Sequence, residues 1–457
     1  MLSTGKVFTT TFRRRVLRPF ATGRCHLSAT AVSQENNSDE VSSSSMFSTV
    51  RSTSLGLEKT LVQPHVASIS QLPEVAAVLQ QQQQSKAVAV VEALERARDI
   101  FASFQPAGPE HLAVLALLAE VQQTQLANYT AAEHTVTEIM ELLVQTTPTA
   151  TQKEAREIQS EVALALVKTL WMQGNFQSCV QQTTALKESL DSSNAPLHAA
   201  AVENAYLLST LMHEGPVAAR QAALAVDAVG LPTLAQAVVC LNLGIVEALW
   251  GLGHDCEGDN TCSTQLDIAK QTWQQGLDLL SQVQGQSSHY LRHALEGRLH
   301  SNIAYAILEI AGRHQDHISK ASEHARDALQ ALEQIRSSPD AAKLPDEGWA
   351  RALSLVAQCY HRAGHAVTAE GLLQSALDET HAAQSSSVLS PSLILERQAA
   401  YQAYAALCKD WEKRQGDAAR FSAQRRALTD KLHGGWKDAT ELHSSLWLWT
   451  PSMFSYE

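Results

Sequence analysis

The chain has 457 residues, 45% of them hydrophobic but only 5% aromatic, and a formal charge of −12. Ala, Leu and Gln dominate and almost no run combines strand alternation with β-branched enrichment, so an all-α protein is expected and a β or α/β fold is not. Seven cysteines, an odd number, argue against a disulfide framework and for a reducing compartment, and so acidic a chain should repel phosphate backbones.

Residues 1–28 differ in kind from the rest. Lys6, Arg13, Arg14, Arg15, Arg18 and Arg24 occur with no acid before Glu35. On a helical wheel Phe12, Val16 and Phe20 share one face, with Arg14, Arg15 and Arg18 opposite. An arginine-rich, acid-free amphipathic N-terminus reads as a mitochondrial presequence ending near Ser28, and the matrix is the expected destination. A plastid address is the alternative, since Ser and Thr continue as far as Ser54. Removal of six positive charges would leave the mature chain at −18. Residues 29–72, rich in Ser and Asn, read as a disordered linker. Residues 73–108 hold Pro73, the Gln80–Gln84 tract, and Val88, Val91, Leu94, Ala97 and Ile100 at helical spacing, which predicts N-terminal helices or a half-repeat.

Between residues 109 and 432 one phrase recurs seven times: an apolar helix, a short polar or glycine-bearing turn, a second helix. The hairpins are Pro109–Val144, turning at Asn128-Tyr129; Gln152–Leu190, at Gly174-Asn175-Phe176; and Pro196–Val229, at Glu214-Gly215-Pro216. Then follow Leu234–Val283, with a long insert at Gly251–Thr264; His289–Ile335, turning across Gly312–His317; Asp346–Glu379, at Gly364; and Pro391–Leu432, at Gly416-Asp417. A period of 30–50 residues is the signature of a stacked helical-repeat array. The most apolar stretch, Leu234 to Trp250, is interrupted by Gln236, Asn242 and Glu247, so no membrane span is expected.

The clearest copy, WARALSLVAQCYHRAGHAVTAEGLLQSALDE from Trp349 to Glu379, resembles the tetratricopeptide repeat. The resemblance makes Ala357 and Ala369 the small residues where two helices cross, Tyr360 the anchoring aromatic, and Gly364 the turn opener. Ala376 would admit the next hairpin. Val167 takes the place of Ala357 in the second hairpin, Leu243-Gly244 matches the Leu-Gly pair in the fourth, and Ala321 and Ala328 fit the fifth. The resemblance covers about 320 residues and implies a right-handed solenoid of about seven hairpins that binds proteins. Pentatricopeptide repeats, which read RNA, share the period but suit a basic chain rather than this one.

Asn204, Asn242 and Asn302 recur midway along three first helices. In the resembling kinesin-light-chain type of repeat, an asparagine there lines the concave groove and bonds to a bound peptide backbone, as an amide with both donor and acceptor can. The competing expectation is that each asparagine is merely solvated or satisfied within the array. The C-terminal segment 433–457 carries Leu446, Trp447, Trp449, Phe454 and Tyr456, and is read as a cap over the last hairpin or a docking element for a partner.

Little else suggests chemistry. His254, Cys256 and Cys262 sit in the insert without the spacing of a zinc knuckle, and His314 and His317 fall in a turn. Gly251-Leu252-Gly253 lacks the third glycine and preceding strand of a phosphate loop. The expected partners are therefore proteins or peptide segments and not nucleic acid, with no catalytic residue, no cofactor and no metal ligand assigned. The alternatives are an RNA-associated repeat factor, or a metal-binding protein or enzyme. Oligomeric state is left open.

Overall fold

The computed structural model describes residues 87–432 apart from connecting segments (147–151, 190–195, 227–229, 254–260, 284–288, 312–314, 338–347, 383–390) and a few single positions. It also describes scattered positions between 57 and 75, and Gly435. The described residues form helices and no strand. α1 (Ala87–Phe104) is followed by α2 (Pro109–Thr124) with α3 (Tyr129–Thr146), α4 (Gln152–Gln173) with α5 (Phe176–Ser189), and α6 (Pro196–Glu214) with α7 (Pro216–Ala223). Then come α8 (Thr233–Gly253) with α9 (Thr261–Gln282), α10 (His289–Ala311) with α11 (Gln315–Arg336), α12 (Trp349–Arg362) with α13 (Ala366–Ala382), and α14 (Pro391–Lys409) with α15 (Gln415–Thr429).

Local chemistry explains the punctuation. Proline opens α2, α6, α7 and α14, where its missing N–H would have no helical partner anyway. Gly174 (φ 73°) and Gly364 (φ 83°) supply the left-handed residue between α4 and α5 and between α12 and α13. Asn128 and Asn175 then accept hydrogen bonds from the backbone N–H groups of Ala131 (3.2 Å) and Ser178 (3.3 Å), starting α3 and α5.

Each first helix packs on its own second helix and on the second helix of the hairpin before it. From α4 onward the first helices also touch one another in succession: α4 to α6, α6 to α8, and so on to α14. The result is a two-layer array with a continuous row of first helices. Along much of their length these are buried on nearly every side. In α2, every residue from His111 to Gln123 is buried, and α8 is almost as enclosed. Residues 233–252 of α8 are long and apolar enough to cross a membrane by composition, yet 72% of its most apolar window is buried among neighbouring helices. Its interrupting polar groups are bonded there, Asn242 to Asn204 and Glu247 to Arg220.

The small residues singled out above, Ala321, Ala328, Ala357, Ala369 and Ala376, are all fully buried, as is Val167. Gly244 has a further reason. The Trp273 indole of α9 lies directly over it and donates to the Leu241 carbonyl at 2.9 Å; a Cβ on Gly244 would come 2.3 Å from Trp273 Nε1.

Four expectations need correction. The last turn is not at Gly416-Asp417. It lies at residues 410–414, closed by a short 3-10 segment (Glu412–Arg414), and Gly416 sits in the first turn of α15, where open space surrounds it. A glycine in a polar stretch misled because helix N-termini tolerate it. The third hairpin's second helix stops at Ala223 rather than near Val229. The insert of the fourth hairpin is shorter than Gly251–Thr264, since α8 runs to Gly253 and α9 starts at Thr261. The expected linker also does not extend to residue 72: Leu57, Leu61, Val62 and Ile69 are buried in the core, and His65 lies 3.7 Å from Glu110 of α2. These apolar residues lacked a helical period but still had a core to join. Residues 1–28, Gln80–Gln84, His254, Cys256, His314, Trp447 and Trp449 lie outside the described residues.

Beyond α15 the chain returns to the second hairpin. The Gly435 N–H donates to the Gly174 carbonyl at 2.8 Å, and a Cβ on Gly435 would meet the Phe176 ring at 2.6 Å. Gly435 thus makes a contact between distant parts of the array.

Gly244→Ala should force Trp273 out of its notch and break its bond to Leu241. The cost expected for overpacking a filled core is about 1–3 kcal/mol. Thermal melting followed by circular dichroism would detect it, and an unchanged midpoint would show that Trp273 moves aside freely.

Candidate functional site

The row of first helices carries a polar stripe inside an apolar layer. Asn204 on α6, Asn242 on α8 and Asn302 on α10 are each at most 1% exposed. The Asn242 Nδ2 donates to Asn204 Oδ1 at 2.9 Å, tying α6 to α8. The recurrence seen in the sequence is real, but it marks the surface by which successive first helices meet. All three side chains are enclosed among the described helices rather than open to solvent. Asn204 and Asn242 are bonded to each other within the array, although Asn204 Nδ2 has no partner among the described residues.

Similar bridges recur along the stack. Thr169 on α4 donates to Gln123 on α2 at 3.0 Å, and Gln173 donates to Glu133 on α3 at 2.8 Å. Arg220 on α7 reaches Glu247 on α8 at 3.3 Å. Arg362 on α12 donates to the Leu308 carbonyl on α10 at 2.6 Å, while Arg336 on α11 pairs with Glu379 on α13 at 3.2 Å and lies over the Trp349 ring. Between the last two hairpins, Glu396 on α14 accepts the Gly348 N–H at 2.6 Å, and Glu370 on α13 accepts from both Tyr404 and Arg414. Arg351 is fully buried beside Glu396; burial lowers its pKa to about 10, the carboxylate opposing that shift and Arg298 adding to it.

Several buried polar atoms on these helices have no protein partner among the described residues: His111 Nε2, Asn204 Nδ2, Thr210 Oγ1, Ser301 Oγ and Gln398 Oε1. Such atoms require water or another polar group to offset their desolvation. Cysteine chemistry is disfavoured at the described thiols. Burial raises Cys179 and Cys359 to about 12 and Cys240 to about 11, and raises Cys408 as well, so none is a thiolate at neutral pH.

Sequence reading missed one cluster. His300 on α10 and His324 on α11 face each other with their Nδ1 atoms 2.9 Å apart, and Asp327 lies one helical turn beyond His324. The H-x-x-D spacing was visible in the sequence, but His300 is remote in the chain and joins only when α10 and α11 pair. His317, by contrast, is exposed at the start of α11.

If the Asn204–Asn242 bond sets the α6–α8 register, Asn242→Ala should cost about 1–3 kcal/mol by stripping a buried carbonyl of its donor. The double change Asn204→Leu/Asn242→Leu should recover part of that loss, because two apolar groups need no partner. Chemical denaturation of the single and double variants measures the coupling. Additive losses would mean the two amides act independently.

Neither models of known protein families nor curated protein sequences match this chain.

Proposed function

We propose that this protein is a non-catalytic protein-binding scaffold of tetratricopeptide type, acting in the mitochondrion as an assembly factor or a subunit of a larger complex. One observation carries the reading: the hairpins stack consecutively, first helix on first helix, so that the chain spends its core on building an extended surface. A right-handed superhelical winding belongs to the same reading and follows from the resemblance of the Trp349–Glu379 hairpin.

The chain's charge of −12 favours protein over nucleic-acid partners. The buried, protonated thiols support a structural role for the described cysteines rather than a nucleophilic one. The burial of Asn204, Asn242 and Asn302 favours a contact surface other than these amides. Trp447 and Trp449 remain the proposed docking residues on sequence grounds, since clustered tryptophans are the side chains that most often anchor an interface. The acid-free basic stretch before Glu35 supports mitochondrial delivery.

The test is capture of the tagged full-length protein from isolated mitochondria, with and without nuclease, beside a Trp447→Ala/Trp449→Ala variant. A discrete set of proteins in fixed stoichiometry should survive nuclease treatment and fall several-fold with the variant. Recovery that depends on RNA would favour the RNA-associated reading, and equal recovery by the variant would remove the tail from the interface. A reporter bearing residues 1–40 should enter mitochondria; plastid or cytosolic fluorescence would overturn the location.

A further inference from the structure

We propose that His300, His324 and Asp327 form a binding site for a divalent transition-metal ion, of the zinc class, which cross-links the two helices of the fifth hairpin. The three ligand atoms come from two packed helices and all lie within 4.8 Å of one another. His324 and Asp327 are three residues apart on α11, so they project from the same face, and His300 projects toward them from α10. This is how helical bundles build metal sites, from a two-residue motif on one helix and a ligand from the facing one.

The scaffold around the site is rigid. Ala321, Ala325 and Ala328 are fully buried on α11 and allow close approach to α10, while Leu332 packs against Gly297, where a Cβ would stand 3.1 Å from it. The backbones of the two helices are therefore held close beside the imidazoles. Tetrahedral zinc, with Zn–N near 2.0–2.1 Å, sets its ligand atoms about 3.3 Å apart. The 2.9 Å separation of the two Nδ1 atoms thus needs to open by only a few tenths of an ångström, within reach of small ring rotations.

Protonation also suits a ligand role. Burial first, and then the nearby His324, lowers His300 to about 4, and burial lowers His324 against the opposing pull of Asp327 and Glu323. Burial thus disfavours the charged form of both rings, and the neutral form is the one that ligates a metal. Two neutral imidazoles and one carboxylate give a net charge of −1, and Glu296 and Glu323 add negative potential nearby. The donor set selects the ion: imidazole nitrogen favours zinc, nickel or copper over magnesium or calcium, which seek oxygen cages. Asp327 is exposed while the histidines are only partly so. The carboxylate side is therefore both the entry path and the place for a fourth ligand from water.

The test is a calorimetric titration of chelator-stripped full-length protein with zinc chloride alone. Cys256→Ser and Cys262→Ser are introduced throughout, so that sulfur ligands elsewhere do not report. One saturable site per chain is expected, with His324→Ala weakening it about a hundredfold and Asp327→Asn about tenfold. Cobalt should give the visible absorption of a four-coordinate site, and magnesium should not bind. Zinc should also raise the melting temperature of the parent and not of the His324→Ala protein. Absence of saturable binding, or binding that neither substitution changes, would overturn the proposal. Should His324→Ala fail to fold by circular dichroism, the exposed Asp327→Asn substitution and the cobalt spectrum decide.

Discussion

The row of first helices is the constraint from which the rest of the architecture follows. A helix that is apolar around its whole circumference cannot rest one face on a partner and leave the other in water. α2 and α8 are of this kind: their buried residues point in every direction, and helices on several sides are needed to enclose them. The second helices behave differently, with alanines such as Ala321, Ala325 and Ala328 inward and charged residues such as Lys320 and Glu323 outward. The two layers therefore differ because one kind of helix must be surrounded and the other need only be leaned upon. Stacking is obligatory, since a lone hairpin would expose its first helix.

Apolar contact alone would let neighbouring hairpins slide, since one leucine ridge fits a groove about as well as the next. The bridges between hairpins discriminate among registers because a misplaced polar group in a dry interface has no partner. Asn204–Asn242, Gln123–Thr169 and Arg362 on the Leu308 carbonyl all join first helix to first helix. Arg351 beside Glu396 does so at a higher desolvation cost, which fits a role in specificity more than in net stability. The contact of Gly435 with Gly174 adds a constraint that a linear array of nearest neighbours would lack, because it joins the end of the seventh hairpin to the second.

The same tight layer both removes and creates candidate sites. Its close spacing swallows the three asparagines that a more open array would present to a ligand. At α10 and α11 it brings two histidines within a hydrogen bond of each other, beside a carboxylate that remains open to solvent.

The sequence by itself determined the helical class, the seven hairpins and most of their turns. These are local properties: periodicity along one helix, a proline at its start, a glycine that can take positive φ. The tetratricopeptide resemblance also singled out Ala357, Ala369, Ala376 and Gly244, and the structure buries the three alanines completely and sets Trp273 over Gly244. Errors arose where a local signal was ambiguous, as at Gly416, which can end a helix or sit in its first turn. What only the tertiary structure decided is which faces are covered. Asn204, Asn242 and Asn302 look alike in the chain whether they line a groove or bridge two helices, and Leu57 to Ile69 resemble linker until a core is supplied for them. His300, His324 and Asp327 become a site only when α10 meets α11. Burial and clustering depend on residues distant in the chain, and no pattern within one helix records what will be packed against it.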